Sequence, residues 1–224
     1  TTSGSYLLLA SLDISRRNLA LRGEESFAKV MDMAEYARRE INEIGGYYAY
    51  GKELVNGTSV YDYDVTKLSV HTLGLGLAGI EVYDLLRDEY DIQIEFGDVS
   101  NILAYISIGD RLQDIERLVG ALADIARIYK KDSTGMLSGE FISPIVARSP
   151  QEAFYSAKES LPVEKTEGRI SGEFVMCYPP GIPILAPGEM ITDEIIQYIL
   201  YVKEKGCSMQ GTEDKSVNKL KVLV

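Results

Sequence analysis

The chain holds few of the side chains that usually carry out catalysis. His71 is its only histidine, and Cys177 and Cys207 are its only cysteines. Because His71 lies inside a predicted strand, we expect it to be structural, and we expect neither a histidine-dependent triad nor a histidine-rich metal site. Two cysteines are too few for a disulfide framework or a zinc site, so we expect reduced thiols.

A proline- and glycine-rich segment, Tyr178 to Glu189, ends on a carboxylate. It contains four prolines and two glycines. Proline fixes φ, donates no N–H and pushes the preceding residue toward extended geometry, so this segment cannot form a helix or a central strand. Two interpretations remain open. The segment is either a rigid connector between domains or a rigid loop that presents Glu189 to a ligand.

A hydroxyl-rich stretch, Thr1-Thr2-Ser3-Gly4-Ser5, opens the first predicted helix. Hydroxyl groups, backbone N–H groups and the positive end of a helix dipole together favour an anion. The simpler interpretation is that Ser5 only caps the helix. These residues alone leave both interpretations open.

The stretch Gly74-Leu75-Gly76-Leu77-Ala78-Gly79 fits the pattern G-x-G-x-x-G. It follows a predicted strand and opens a helix, and Glu95 ends the next predicted strand, which is the context of a dinucleotide fingerprint. However, no second mononucleotide-binding half follows it. The other interpretation is that the glycines let the helix N-terminus pack closely against the sheet.

Composition limits the class of protein. The 224 residues are 46% hydrophobic with a formal net charge of −11, which is typical of a globular protein and disfavours nucleic acid as a partner. No apolar run approaches the roughly 20 residues that cross a bilayer, and no secretory signal is present. We therefore expect a cytoplasmic protein that does not bind membranes. The chain begins at Thr1 rather than Met, and we expect it to be part of a longer protein.

Hydrophobic spacing predicts the elements of the first half. It predicts a helix over 6–21 that Gly23 ends, a second helix over 24–44 and a short strand around 52–55. The middle of the chain has the pattern βαββα, and its predicted elements are a strand over 67–73, a helix over 80–89, strands over 92–96 and 102–106, and a helix over 111–130. This pattern predicts a small domain with helices packed on a sheet.

A Ser/Gly/Thr break around 133–139 predicts a boundary before the last part of the chain. After it, Ser149 and Pro150 are expected to start a short helix. The remaining predicted elements are a strand over 170–177, a helix over 192–205 that Thr192 caps and Gly206 ends, and a closing strand over 220–224.

Several of these segments together resemble the Orn/Lys/Arg decarboxylase family. The resemblance runs nearly end to end, and the proline-rich loop is its most specific part. It is carried by Thr1-Thr2-Ser3-Gly4-Ser5-Tyr6, Leu9-Ala10-Ser11-Leu12-Asp13, Leu75-Gly76-Leu77-Ala78-Gly79, Leu85-Leu86-Arg87-Asp88-Glu89-Tyr90, Gly168-Arg169-Ile170-Ser171 and the loop Tyr178 to Glu189. The chain looks most like the C-terminal half of the shorter bacterial arginine/lysine decarboxylases. One departure is Gly4, where the family commonly has proline, so this turn is looser than that of the family.

The resemblance implies a pyridoxal-phosphate enzyme of aminotransferase fold type I. The fold class is then α/β (α+β), with residues 1–65 a helical segment from the end of the large domain, 66–135 the small α/β domain, and 136–224 the C-terminal domain. The family's Ser-x-His-Lys segment, whose lysine binds the cofactor, is absent and by resemblance lies upstream of Thr1. The resemblance therefore implies no catalytic residue and no metal site in this chain, and no activity of the chain by itself.

The resemblance also implies roles for particular residues. Thr2 and Ser3 match the family turn that reaches the cofactor phosphate, usually across a dimer interface. Glu189 matches an acid that recognises the distal ammonium or guanidinium of a basic amino acid, arginine before lysine or ornithine. The implied partners are this substrate, the missing N-terminal domain and a second subunit. The alternative is a dinucleotide-binding or regulatory module that uses Gly74 to Gly79 and Glu95.

Overall fold

A computed structural model describes residues 3–133 and 142–224 of the chain. Its α-helices are α1 (Tyr6–Ile44), α2 (Gly79–Tyr90), α3 (Leu112–Ile128), α4 (Pro150–Tyr155) and α5 (Asp193–Glu204). Its strands are β1 (Tyr48–Ala49), β2 (Lys67–His71), β3 (Phe96–Gly97), β4 (Asn101–Tyr105), β5 (Lys158–Pro162), β6 (Val175–Tyr178), β7 (Ile182–Leu185), β8 (Ser208–Gln210) and β9 (Lys219–Leu223).

Helix α1 runs through Gly23 without a break. Our prediction of two helices was wrong because a glycine inside a helix costs only about 1 kcal/mol, and strong helix formers surround this one. Ser5 is the N-cap residue as predicted, but its side chain makes no capping hydrogen bond.

The two halves of α1 have different surroundings. Its C-terminal half buries one face in the core through Val30, Ala34, Ala37 and Ile41. Its N-terminal half is exposed and carries many large apolar side chains, among them Tyr6, Leu7, Leu8, Leu9, Leu12, Ile14, Leu19 and Leu21. Exposed apolar surface of this kind is typical of regions that contact protein, membrane or ligand.

The first half of the chain forms an antiparallel sheet in the order β1-β2-β4-β3. The predicted βαββα succession is confirmed by β2, α2, β3, β4 and α3. The bounds of the third element were wrong, since β3 is Phe96–Gly97 and shares only Phe96 with the strand predicted over 92–96. The strand predicted around 52–55 is wrong, since Lys52–Leu54 forms a 3-10 helix and the edge strand lies earlier, at Tyr48–Ala49. Helices α1, α2 and α3 cover the sheet and share one buried core with it.

The second half of the chain builds smaller sheets around α5. Strand β5 pairs with β9, and β6 lies between β7 and β8, all antiparallel. Two predicted caps are confirmed. Thr192 Oγ1 accepts from the backbone N–H of Ile195 at the start of α5, and Ser149 forms a capping box with Glu152 at the start of α4.

A separate buried core lies between α5 and these sheets. A third, small cluster, which includes Val99, Cys177, Val202 and Cys207, joins the two halves. The boundary predicted around 133–139 lies mostly outside the described residues, so the domain limits stay a prediction.

The proline-rich segment forms a hairpin within the C-terminal half. Its first residue, Tyr178, ends β6, and its centre is β7 at the edge of the three-stranded sheet. Pro183 is tolerated in β7 because an edge strand does not need every N–H for pairing. Apart from Tyr178, which ends the central strand β6, the segment forms neither a helix nor a central strand, as predicted. The segment is not a connector between domains.

The N-terminus of α2 lies against the backbone of β4. A side chain at Gly79 would overlap the carbonyl oxygen of Asn101, and one at Gly97 would overlap the carbonyl oxygen of Gly79. The backbone N–H of Ile80 donates to the carbonyl of Asp98 at 2.7 Å. These glycines therefore allow a close approach of helix and sheet, as one interpretation of the glycine pattern expects.

We predict opposite effects for two glycine-to-alanine changes. Gly79→Ala should destabilise the chain by about 2–3 kcal/mol, because the added methyl group overlaps backbone atoms that have nowhere to move. Gly120→Ala, in helix α3 with nothing within 4 Å of the added carbon, should stabilise it by about 0.5–1 kcal/mol. Urea unfolding of both variants measures the difference. Equal midpoints for the two variants would contradict this packing role of Gly79.

Candidate functional site

Glu189 lies in a turn that follows β7, and its carboxylate folds back over this turn. Its Oε2 accepts from the backbone N–H of Ala186 at 2.8 Å. Its backbone pairs with Val146 on one side and accepts from the N–H of Ser171 on the other. The side chain is half-buried, so the turn holds this carboxylate in one place while leaving part of it accessible.

The two residues predicted to reach a phosphate lie at the start of the chain. Thr2 is outside the described residues. Ser3 is exposed and lies two residues before Ser5, the N-cap residue of α1; the first turn of this helix has no side-chain cap and no acidic residue. An uncapped helix N-terminus beside a hydroxyl group is compatible with an anion.

A cleft of about 380 Å³ separates the proline hairpin from the sheet of the first half. One wall is the turn from Asp98 to Asn101, which connects β3 to β4. The other wall combines the apolar hairpin residues Pro179, Pro180, Ile182 and Ile184 with Tyr198 of α5. Its size is typical of a small-molecule site. No local signal in the sequence indicates this cleft, because its walls come from distant parts of the chain.

Asp98 is the only charged residue that lines this cleft within the described parts of the chain. Its Oδ1 accepts from the backbone N–H groups of Ser100 at 2.7 Å and Asn101 at 2.6 Å. Throughout residues 3–133 and 142–224, no lysine, arginine or histidine lies within ion-pair distance of it. The carboxylate therefore brings an uncompensated negative charge to the cleft.

The Asp98 carboxylate affects the tyrosines that surround it. Burial, followed by the nearby Cys177 and Asp98, raises the pKa of Tyr198 to about 12. Burial and then Asp98 also raise the pKa of Tyr50. Both shifts have the sign expected where a negative charge opposes the ionisation of a phenol.

Asn101 connects the cleft to the only histidine of the chain. Its Oδ1 accepts from the Tyr50 hydroxyl at 3.0 Å and lies 3.4 Å from Nδ1 of His71. His71 lies in β2 as predicted, in an antiparallel pair with Asn101. The geometry gives His71 a place in a hydrogen-bonded network of the sheet, in keeping with the structural role expected of it.

The two cysteines are buried free thiols, as predicted. They lie in the cluster that joins the two halves of the chain. The contact between them lowers the pKa of Cys207 and, together with burial, raises that of Cys177, because the Cys177 thiol donates toward the Cys207 sulfur. Among the described residues, no group of three or more histidine, cysteine or acidic side chains could hold a metal ion.

In the stretch Gly74 to Gly79, Gly79 serves the packing of α2 against the sheet rather than dinucleotide binding. The carboxylate of Glu81 accepts from the N–H of Ala78 at 2.8 Å and pairs with Lys131, so the start of α2 already has an anion. The sheet beside it is antiparallel, unlike the parallel sheet of a dinucleotide fold. Glu95 is exposed beside β4.

No described helix combines the length and the apolar character that crossing a membrane requires.

We predict that Tyr198 makes stability pH-dependent at alkaline pH. A tyrosine ionises near pH 10 in the unfolded chain but near 12 here, so its contribution is complete below about pH 10 and is lost as the pH rises to about 12. Because the side chain is only partly buried and solvent weakens the effect, the loss should be about 1–2 kcal/mol. Urea unfolding of the wild type and Tyr198→Phe across this range measures it. A difference between the two that does not change with pH would contradict the shift.

The family model described as "Orn/Lys/Arg decarboxylase, C-terminal domain" matches residues 138–215. The arginine decarboxylase of Bacillus subtilis (strain 168) is 40% identical over 226 residues, and that of Halalkalibacterium halodurans is 41% identical over 229 residues. Each alignment covers 100% of this chain and 46% of the relative, so the chain spans about half the length of these enzymes.

Solved structures show the same fold. The E. coli constitutive lysine decarboxylase matches 100% of this chain and 44% of its own, with a TM-score of 0.69 and 19% identity. Lysine decarboxylase A from Pseudomonas aeruginosa matches 100% of this chain and 43% of its own, with a TM-score of 0.66 and 19% identity. With sequence identity of 40% along its whole length and the match to the family's C-terminal domain, this chain belongs to the Orn/Lys/Arg decarboxylase family.

Proposed function

We propose that this chain is the substrate-recognising part of a decarboxylase of basic amino acids, with arginine as the first candidate substrate and lysine or ornithine after it. The observation that carries the proposal is the identity of 40% or more with arginine decarboxylases over the whole chain. The reaction would release carbon dioxide and leave an amine, in the service of agmatine or polyamine synthesis.

Pyridoxal 5'-phosphate is the proposed cofactor, and it would supply the electron sink for the loss of carbon dioxide. Two features of this chain fit its phosphate group. The first turn of α1 has no side-chain cap, and the hydroxyl-bearing residues Thr2 and Ser3 come shortly before its N-cap residue, Ser5, in the sequence. We propose that these residues hold the phosphate in the complete enzyme.

Glu189 is the proposed contact for the distal cation of the substrate. Hydrogen bonding to Ala186 occupies Oε2 and fixes the orientation of the carboxyl group, and Oε1 has no hydrogen-bond partner in the described parts of the chain. A fixed carboxylate with one free oxygen can accept a charge-assisted hydrogen bond from a guanidinium or ammonium group. The net charge of −11 favours the approach of such a cation.

The exposed half of α1 supports the proposed partners. Burying its apolar side chains against another protein surface would be favourable, because their exposure to water is unfavourable. We propose that the remainder of the enzyme, including a cofactor-binding domain, and a second subunit provide it. The complete protein would then be a cytoplasmic homodimer or a larger homo-oligomer.

We predict that Glu189→Gln in the complete protein raises the KM for arginine about tenfold or more, because the guanidinium loses a charged acceptor. The glutamine can still accept from the N–H of Ala186, so the turn should keep its shape. Steady-state kinetics measures the change in KM, and a titration with pyridoxal phosphate should show cofactor affinity within about twofold of the wild type.

The matched control is Glu167→Gln, which removes the same charge from an exposed position. It should leave KM within about twofold. An unchanged KM in Glu189→Gln would contradict the role of Glu189, and an equal rise in both variants would assign the effect to net charge alone.

A further inference from the structure

We propose that the cleft between the Asp98–Asn101 turn and the proline hairpin is a second binding site, separate from Glu189, for an organic cation with a short aliphatic chain. The ligand would carry a primary ammonium or guanidinium group. The proposal rests on the chemistry of the cleft and does not require the decarboxylase function.

The hairpin wall suits an aliphatic chain. It is formed by Pro179, Pro180, Ile182 and Ile184, whose side chains are hydrocarbon. The two prolines also lack an N–H group, so this wall offers fewer donors to an anionic ligand than an ordinary loop would. Removing this surface and the carbon chain of a ligand from water would favour binding.

The opposite wall suits a cation. The N–H groups of Ser100 and Asn101 occupy Oδ1 of Asp98, whereas Oδ2 has only a weak contact with Nδ2 of Asn101 at 3.5 Å. With no basic side chain at ion-pair distance among the described residues, Oδ2 can accept from an incoming ammonium. A partly desolvated carboxylate in a narrow cleft attracts a cation more strongly than one on an open surface.

An unsatisfied hydroxyl lies in the same turn. Ser100 is 8% exposed, and its Oγ is a buried side-chain atom with no hydrogen-bond partner in the part of the chain that the structure describes. Such a group ordinarily costs about 1–3 kcal/mol. An ammonium group has three donors, so it can bond to Oδ2 of Asp98 and, after a small side-chain rotation, to Ser100 as well.

Butylammonium, 1-butanol and butyrate share a chain of four carbons but carry a positive, a neutral and a negative group. They are therefore matched probes of the charge that the cleft prefers. Calorimetric titration uses the complete protein carrying Glu189→Gln, in which the charge at the proposed substrate carboxylate has been removed and binding there is weakened. We expect saturable binding of butylammonium at least about tenfold tighter than that of butanol, and no binding of butyrate. Absence of saturable butylammonium binding, or equal binding of butanol, would overturn the proposal.

Two single-charge variants then identify the carboxylate. Asp98→Asn keeps an oxygen for the N–H groups of Ser100 and Asn101 but removes the charge, so butylammonium affinity should fall about tenfold or more. Asp91→Asn removes the same charge at an exposed position with φ of 52°, a conformation that asparagine tolerates, and should leave affinity unchanged. Equal affinities in the two variants would overturn the assignment to Asp98.

This test is separate from that of the proposed function. It measures ligand binding without turnover, in a protein whose Glu189 charge has been removed. A protein that does not bind butylammonium would contradict the cleft site but not the role of Glu189. Unchanged kinetics in Glu189→Gln would contradict the role of Glu189 but not the cleft site.

Discussion

The close contact between the start of α2 and the backbone of β4 sets the geometry of the candidate cleft. Gly79 lies directly against the carbonyl of Asn101, and Gly97 lies against the carbonyl of Gly79. Hydrogen bonds from Ile80 to Asp98 and from Thr72 to Ser100 then hold the turn between β3 and β4 in place. That turn carries Asp98. The backbone contact between α2 and β4 therefore also determines where the Asp98 carboxylate lies in the cleft.

The proline-rich hairpin has two separate consequences for function. Its tip and β7 form an apolar wall opposite Asp98, while its last turn holds Glu189 away from that wall. The hairpin therefore holds one of two carboxylates and lies opposite the other. Glu189 is oriented by a hydrogen bond within its own turn, and Asp98 is oriented by the sheet that the hairpin faces. Both are suited to cations, and the overall negative charge of the chain favours cations at both.

Local signals predicted much of the fold. Helices α2, α3 and α5 follow from apolar spacing, and the Thr192 and Ser149 caps follow from the residues themselves. The break at Gly23 was wrong because a helix tolerates a lone glycine, and the strand at 52–55 was wrong because turn-rich sequence does not distinguish an extended segment from a single 3-10 turn. These errors concern weak local preferences that the rest of the chain overrides.

The candidate site was less predictable. Glu189 could be singled out because it ends an unusual segment, and the family resemblance suggested its role. Asp98, Ser100 and Tyr198 could not, because their importance depends on contacts between residues far apart in the sequence. An ordinary Asp-Val-Ser-Asn turn gives no sign that an apolar hairpin will pack opposite it.

The most direct test of the account compares carbon dioxide release from arginine, lysine and ornithine by the complete protein and by the isolated 224-residue chain. Both would be supplied with pyridoxal phosphate and followed by the absorbance of the bound cofactor. We expect release from at least one of these amino acids and bound-cofactor absorbance in the complete protein only. Decarboxylation by the isolated chain, or none by the complete protein, would contradict it.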